Sequence, residues 1–445
     1  MDPALAGEGG GCRGVAEGGP SSTGEALVAL RNASGLCETP LSNTSPQTPP
    51  SPGSAGEVFR IFLRLGLTSF GGPIAHLAYF REEFVRLRGW LDDAHFAQLL
   101  SVCQFLPGPA SSQMCFAIGL FRGGWAGALA AFVAFTLPSA LLMFGFALIA
   151  PHVGQGVGTA AVHGLKLVAV VVVAHGLLGM IRQLAPDAPR VLIAAGAAVL
   201  IVSTGSAWAQ LGAIALGAML GWCFCRQVNA PLSAAFPVRY GRRGGVAFLL
   251  VFLAGLAGAL MWPAADAPTA AALAAAFYKA GALVFGGGHV VLSLLQPAVV
   301  DTGWVHPDTF LAGYGAAQAM PGPMFSLAAF VGAEVPVGWP AAASATLALL
   351  AVFLPGILLL LAVLPLWEHL ARRRWATRGI AGINAAVVGL LIAAFYTPVW
   401  TEGVHGVADF VIALIGFALL TTRRVSALWI VSWCVAASIV ARLLS

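Results

Sequence analysis

The chain has 445 residues, of which 59% are hydrophobic and 9% charged, against roughly 25% charge in a soluble domain. Mean hydropathy is +0.86, which excludes a soluble protein and describes a polytopic membrane protein. The formal charge of +5 sits mostly in loops beside apolar spans, a positive-inside signature. No basic stripe with interleaved aromatics exists, which argues against nucleic acid as a partner.

Residues 1–56 are rich in Gly, Ser, Thr and Pro and contain no basic start followed by an apolar run. They lack the apolar surface to order themselves, so a disordered cytoplasmic tail is expected rather than a signal peptide. From 57 onward thirteen apolar segments follow, at about 57–80, 96–120, 125–150, 160–181, 190–205, 208–226, 246–262, 272–295, 309–332, 340–366, 379–398, 406–421 and 425–443. They divide into a membrane repeat at 57–226, a linker at 227–270 with one helix, and a second repeat at 271–445. The two segments at 190–205 and 208–226 are short for a bilayer that needs about 20 residues, which predicts a thin or tilted hairpin.

The two repeats carry the same punctuation. The first contains Phe70-Gly71-Gly72-Pro73, Gly89-Trp90 and Gln104-Phe105-Leu106-Pro107-Gly108-Pro109. The second contains Phe285-Gly286-Gly287-Gly288, Gly303-Trp304 and Gln318-Ala319-Met320-Pro321-Gly322-Pro323. Leu137-Pro138 and Gly164 find their mates in Leu354-Pro355 and Gly382. An ordered match of this kind is an internal duplication. Gly and Pro punctuation inside apolar segments suits helices rather than the alternating strands of a barrel.

Arginine placement sets the topology. Loop 81–93 carries Arg81, Arg86 and Arg88, whereas its mate 296–308 has no Lys or Arg. Conversely Arg372, Arg373, Arg374 and Arg378 follow the tenth segment, and the matching 151–160 loop has none. Opposite charge bias predicts inverted repeats, with the N-terminus cytoplasmic. Arg239, Arg242 and Arg243 hold the start of the linker helix in the cytoplasm. If the segments broken at Phe-Gly-Gly and Pro-Gly-Pro enter and return to one side, nearly every arginine becomes cytoplasmic. Re-entrant hairpins are therefore expected, with broken spanning helices as the alternative. Broken backbone is tolerated at membrane depth only inside protein or beside a polar cavity, so the breaks should meet centrally.

Each break frees backbone N–H groups at a new helix start, which carries partial positive charge and suits an anion. The competing reading is that Gly and Pro merely kink and pack these helices. Candidate binding residues are Phe70, Gly71, Gly72, Pro107, Gly108, Pro109, Ser112, Gly286, Gly287, Pro321, Gly322 and Pro323, with Ser326 as the mate of Ser112. Gln104 and Gln318, each three residues before Pro-Gly-Pro, either satisfy freed carbonyls or touch the ligand. Arg64 and Lys279 stand six residues before Phe70 and Phe285, placing one cation at the same point in each half. Cations at membrane depth are usually functional, though snorkelling to the interface is the plainer account. Lys166, the other of the two lysines, has Asn384 as its mate and breaks the symmetry.

The remaining chemistry is sparse. His76, His163, His175 and His289 read as hydrogen-bonded packing residues, and no H-x-x-x-H or Cys/His cluster points to a metal. The seven cysteines are odd in number, and Cys223-Phe224-Cys225 reads as a pair of buried thiols. Glu82, Glu83, Asp92 and Asp93 alternate with arginines in a self-neutralising loop, with gating as a second reading. No nucleophile elbow, phosphate loop or paired carboxylates lie at membrane depth, so neither an enzyme nor a cofactor is expected.

At these residues the chain resembles the chromate ion transporter family in its long, duplicated form. The motifs that carry the resemblance are Gly66-Leu67-Thr68-Ser69-Phe70-Gly71-Gly72-Pro73, Arg81-Glu82-Glu83-Phe84-Val85 with Gly89-Trp90-Leu91, both Pro-Gly-Pro runs, and Phe285-Gly286-Gly287-Gly288-His289. The resemblance covers about 57–445; the second copy has Gly288 for Pro73 and lacks the acid–arginine loop. It implies a multi-pass protein of the bacterial inner membrane that exports chromate and confers resistance. Sulfate, of the same charge and shape, is the near-isostere. A sulfate or small-anion uptake carrier or channel is the alternative, and a membrane scaffold would have no need of the breaks. A homo-oligomer is compatible with all of these.

Overall fold

Helices occupy the apolar segments, and the segments at 96–120 and 309–332 are broken at their Pro-Gly-Pro runs. In the computed structural model the described residues are 53–445, apart from 71, 151–156, 205–206, 226–235, 237, 239, 263–267, 286–289, 368–372, 423–424, 426 and 445. The tail 1–52 and the site candidates Gly71, Gly286 and Gly287 lie outside them, as do His289, Arg239 and Arg372. The first half comprises α1 (Ala55–Thr68), α2 (Gly72–Arg81), α3 (Asp93–Phe105), α4 (Ala110–Ile149), α5 (Val157–Leu184), α6 (Ala188–Thr204) and α7 (Ala207–Phe224). The linker helix is α8 (Gly241–Met261). The second half comprises α9 (Ala270–Leu283), α10 (Val290–Val299), α11 (Pro307–Ala319), α12 (Leu327–Glu334), α13 (Ala341–Val363), α14 (Arg374–Ala394), α15 (Val407–Thr422) and α16 (Ala427–Leu444). Five of the helical stretches, Ala110–Ile149, Gly158–Leu184, Gly241–Met261, Ala341–Leu366 and Thr377–Gly403, are long and apolar enough to cross a membrane.

Local chemistry explains the boundaries. Ser54 caps α1 by accepting from Glu57 N–H at 3.1 Å, and Thr269 caps its counterpart α9 by accepting from Ala272 N–H at 3.1 Å. Asp92 caps α3 through His95 N–H at 2.7 Å, and that bond holds its carboxyl below the usual carboxylate range. The run Ala110–Ile149 joins the second part of segment 96–120 to segment 125–150 across a kink that falls between them. Its helix leaves regular geometry only at Gly123 (φ −128°, ψ 18°) and Gly124 (φ 62°, ψ −154°).

Packing repeats the duplication. In each half the first helix lies along the long one, α1 on α4 and α9 on α13. Gly66 permits this approach: a Cβ there would stand 2.8 Å from the Phe135 carbonyl oxygen. Gly281 faces the Val352 carbonyl in the same way, and 281 − 66 = 215 and 352 − 135 = 217 are the offsets of the duplication. The halves then exchange their ends: α14 packs on α6 and α7, while α5 packs on α15 and α16. Gly164 against Val435 and Gly382 against Gly217 are again matched close approaches. Helix α8 has no counterpart; its Phe252 and Ala259 cover Ala275, Tyr278 and Ala282 of α9 and Leu358 and Leu359 of α13.

Two sets of chain turns gather at different contacts. The start of α1, the turn before α3 and the α4 kink meet at Arg122. Its guanidinium lies 3.3 Å from Glu57 and 4.9 Å from the Trp90 ring centroid, and its carbonyl accepts from Gly53 N–H at 2.9 Å. The adjoining loop neutralises itself through Arg81–Asp93 at 2.7 Å, Arg86–Glu82 at 3.4 Å and Arg88–Glu83 at 2.7 Å. The starts of α5, α11 and α15 meet through Lys166–Asp308 and His163–Asp409. Of the two thiols read as buried, Cys225 is buried and Cys223 is exposed, because it falls on the outer side of the last turn of α7.

Candidate anion site

The two Pro-Gly-Pro breaks have the same backbone course. A residue before proline is pushed out of the helical region, and Leu106 (φ −85°, ψ 149°) and Met320 (φ −83°, ψ 143°) end α3 and α11 accordingly. Gly108 (φ +119°) and Gly322 (φ +93°) then take conformations that only glycine adopts readily. Pro109 and Pro323 open the next helical turns without a side-chain cap.

Each break is sealed by the opposite half. Gly108 N–H donates to the Val284 carbonyl at 2.6 Å, and Gly322 N–H donates to the Ser69 carbonyl at 2.9 Å. Val284 precedes Phe285 as Ser69 precedes Phe70, so Pro-Gly-Pro of each half meets the residue just before Phe70 or Phe285 of the other. Behind Gly108 lies Gly356, and behind Gly322 lies Ser139, which follow the matched prolines Pro355 and Pro138.

Buried polar atoms without partners accumulate here. Ser112 and Ser326, mates in the duplication, are each 1% exposed, and neither hydroxyl has a hydrogen-bond partner among the described residues. Ser69 Oγ, Thr136 Oγ1 and Gln113 Oε1 are in the same condition. Gln113 Nε2 is occupied, donating to the carbonyls of Pro107 at 2.9 Å and Gly356 at 3.0 Å. His76 Nε2 donates to the Ser69 carbonyl at 3.2 Å while its Nδ1 meets no partner. Each such orphan costs about 1–3 kcal/mol unless water or a ligand answers it. Hydroxyls at an uncapped helix start can give hydrogen bonds to an oxyanion, and the start adds partial positive charge.

The other candidates are placed differently from one another. Gln318 is buried and donates to Met324 Sδ at 2.9 Å, whereas Gln104 is exposed. The matched pair is thus not matched in environment. Gly315 lets α11 close on the Leu165 carbonyl of α5, whereas its mate in α3 is Ser101. On that side a cleft of about 590 Å³ remains, lined by Phe105, Met219, Trp222, Trp375, Gly379 and Ile383. Phe70 is half-buried beside the first break. Arg64 is exposed on α1, and Lys279 is half-buried, lining a cavity of about 380 Å³ with Gln210, Thr302 and Trp304. No Pro-Gly-Pro residue and not Arg64 lines that cavity. Lys166 has Asp308 as its partner. His76, Gln113, Thr136 and Ser139 join the site in addition to the candidate residues; Gln113, Thr136 and Ser139 each lie within a few residues of a matched proline, which is the signal that points to them.

Comparison with known proteins agrees with this duplicated construction. The chromate transporter family profile matches twice, at residues 56–222 and 271–440. The chain is similar to the chromate transport protein of Pseudomonas aeruginosa, 26% identical over 82% of this chain and 86% of that protein. It is also similar to the chromate transport protein of Cupriavidus metallidurans, 28% identical over 81% of this chain and 86% of that one. A probable chromate transport protein of Synechococcus elongatus is 27% identical over 81% of this chain and 88% of its own length. No solved structure matches. With both halves matched by one profile, the chain belongs to the chromate transporter family.

Proposed function

We propose that this protein is a secondary transporter that exports chromate, a tetrahedral dianion, and so confers chromate resistance. The observation that carries the reading is the reciprocal seal between the halves, with an orphan serine hydroxyl four residues beyond each sealing glycine. A dianion at membrane depth is costly unless hydrogen-bonded and paired. Two uncapped helix starts with Ser112 and Ser326 supply donors, and Arg64 and Lys279 supply charge. Relatives named as transport proteins support the substrate class, and no chemical conversion is part of the reading. The test is flux of chromate and sulfate into liposomes with a proton gradient imposed in each direction. Gradient-driven chromate movement that sulfate competes with is expected. Absence of chromate flux above empty liposomes overturns the reading, and ungated conductance makes the protein a channel.

The same reading makes the halves inverted repeats in a bacterial inner membrane, with segments 57–80 and 96–120, and likewise their mates 272–295 and 309–332, each entering and returning to one side, the first pair on the cytoplasmic side. Its support is the meeting of Gly53, Glu57, Trp90 and Arg122 at one place, after two excursions of the chain. Single cysteines at Leu87 and Asp301, in a background from which all seven native cysteines are removed, are expected to label from opposite faces of the membrane. Labelling of both from one face rejects inversion.

A further inference from the structure

The starts of α5 and α15 hold a group of side chains that anion transport does not use. His163 Nε2 donates to Asp409 Oδ1 at 2.8 Å, and the other carboxylate oxygen accepts from His405 N–H at 3.0 Å. The two imidazoles stack at 5.7 Å with 21° between their planes, both beside that carboxylate. One ligand atom from each of His163, His405 and Asp409 lies within 4.8 Å of the other two. His163 is 26% exposed and Asp409 16%, so the site is partly dehydrated yet open at His405. One helical turn along α5, Lys166 is neutralised by Asp308.

We propose that His163, His405 and Asp409 bind a first-row divalent metal ion, with Zn²⁺ the best fit. Two imidazoles and a carboxylate make a three-ligand set that Zn²⁺ completes tetrahedrally with water, at metal–ligand distances of about 2.0–2.2 Å. Such distances bring ligand atoms to about 3.3 Å from each other, within reach of side-chain rotation from the spacing seen here. Ca²⁺ and Mg²⁺ call for oxygen ligands and do not suit two imidazoles. Cu²⁺ and Ni²⁺ share the ligand preference and compete for the site. The ion joins α5 of the first half to α15 of the second, so binding it clasps the two halves next to the Lys166–Asp308 pair.

The test uses the full-length protein in detergent, stripped with chelator and titrated with Zn²⁺ alone. One saturable equivalent is expected, with at least tenfold weaker binding in the His163→Gln/His405→Gln double variant and in Asp409→Asn. Asp187→Asn, just beyond the far end of α5 and outside the ligand set, should leave the affinity within twofold. Co²⁺ in place of Zn²⁺ should give the intense visible absorption of a tetrahedral site in the wild type, which needs no variant to fold. Zn²⁺ affinity unchanged in the double variant, no saturable binding, or only the faint spectrum of six-coordinate Co²⁺ would each overturn the proposal.

Discussion

Gly108→Leu and Gly322→Leu are each expected to abolish chromate flux while leaving folded protein in the membrane. Both glycines have positive φ, +119° and +93°, where an L side chain costs about 1–2 kcal/mol. A Cβ on Gly108 would also stand 2.9 Å from the Gly356 Cα, and one on Gly322 3.0 Å from Ser139 Oγ. The Gly356 neighbour is backbone of α13 and cannot swing aside, so overpacking adds about 1–3 kcal/mol. The same displacement breaks the N–H bonds to Val284 and Ser69 that seal the halves together. The helices on either side are held by other contacts, α4 by α1 and α13 by α9. Damage therefore falls on the site more than on the fold, with Gly108 the more sensitive position. Flux per reconstituted molecule, beside the thermal midpoint of the purified protein, separates the two effects. Full flux in both variants would leave the breaks with a packing role only.

How much of this was legible in the sequence depends on how locally each feature is determined. Proline and glycine fix backbone dihedrals at their own positions, so Pro107-Gly108-Pro109 and Pro321-Gly322-Pro323 announce their breaks without help from tertiary structure. Helix extents follow from apolar runs for the same reason. The duplication even encodes packing, since Gly66 and Gly281 must be small for α1 and α9 to reach their long neighbours. What the sequence hides are choices between partners. Nothing near Gly108 says that its N–H will find Val284 rather than Ser69, because either carbonyl lies just before a Phe-Gly-Gly motif. Nor does any spacing bring His163 to Asp409 or Lys166 to Asp308, pairs made across halves by helices that have exchanged places. The unlike fates of Gln104 and Gln318 have a similar source. Serine at 101, where the second half has Gly315, keeps α3 from the close approach that buries α11.

Lys279→Gln and Arg64→Gln are both expected to impair chromate transport, and Lys279→Gln by more. The two cations hold equivalent places, six residues before Phe285 and Phe70, which along a helix is about 9 Å at 1.5 Å per residue. A dianion beside the breaks needs about two positive charges nearby, and an inverted repeat would offer one from each side of its pseudo-two-fold axis. Their environments decide the magnitudes. Lys279 is half-buried in its cavity with Gln210 and Thr302, where a charge-assisted hydrogen bond is worth about 1.5–3 kcal/mol, or roughly tenfold to a hundredfold. Arg64 is exposed, and a solvated charge is screened to about 1 kcal/mol or less, a fewfold effect. Lys279→Arg keeps the charge but removes a group able to release a proton, so it should retain chromate binding and flatten the pH dependence of flux. The measurement is initial chromate flux in liposomes against pH for wild type and the three variants, at matched protein density. Undiminished flux and resistance in both glutamine variants would remove the two cations from the transport pathway, leaving the hydroxyls and helix starts to hold the anion alone.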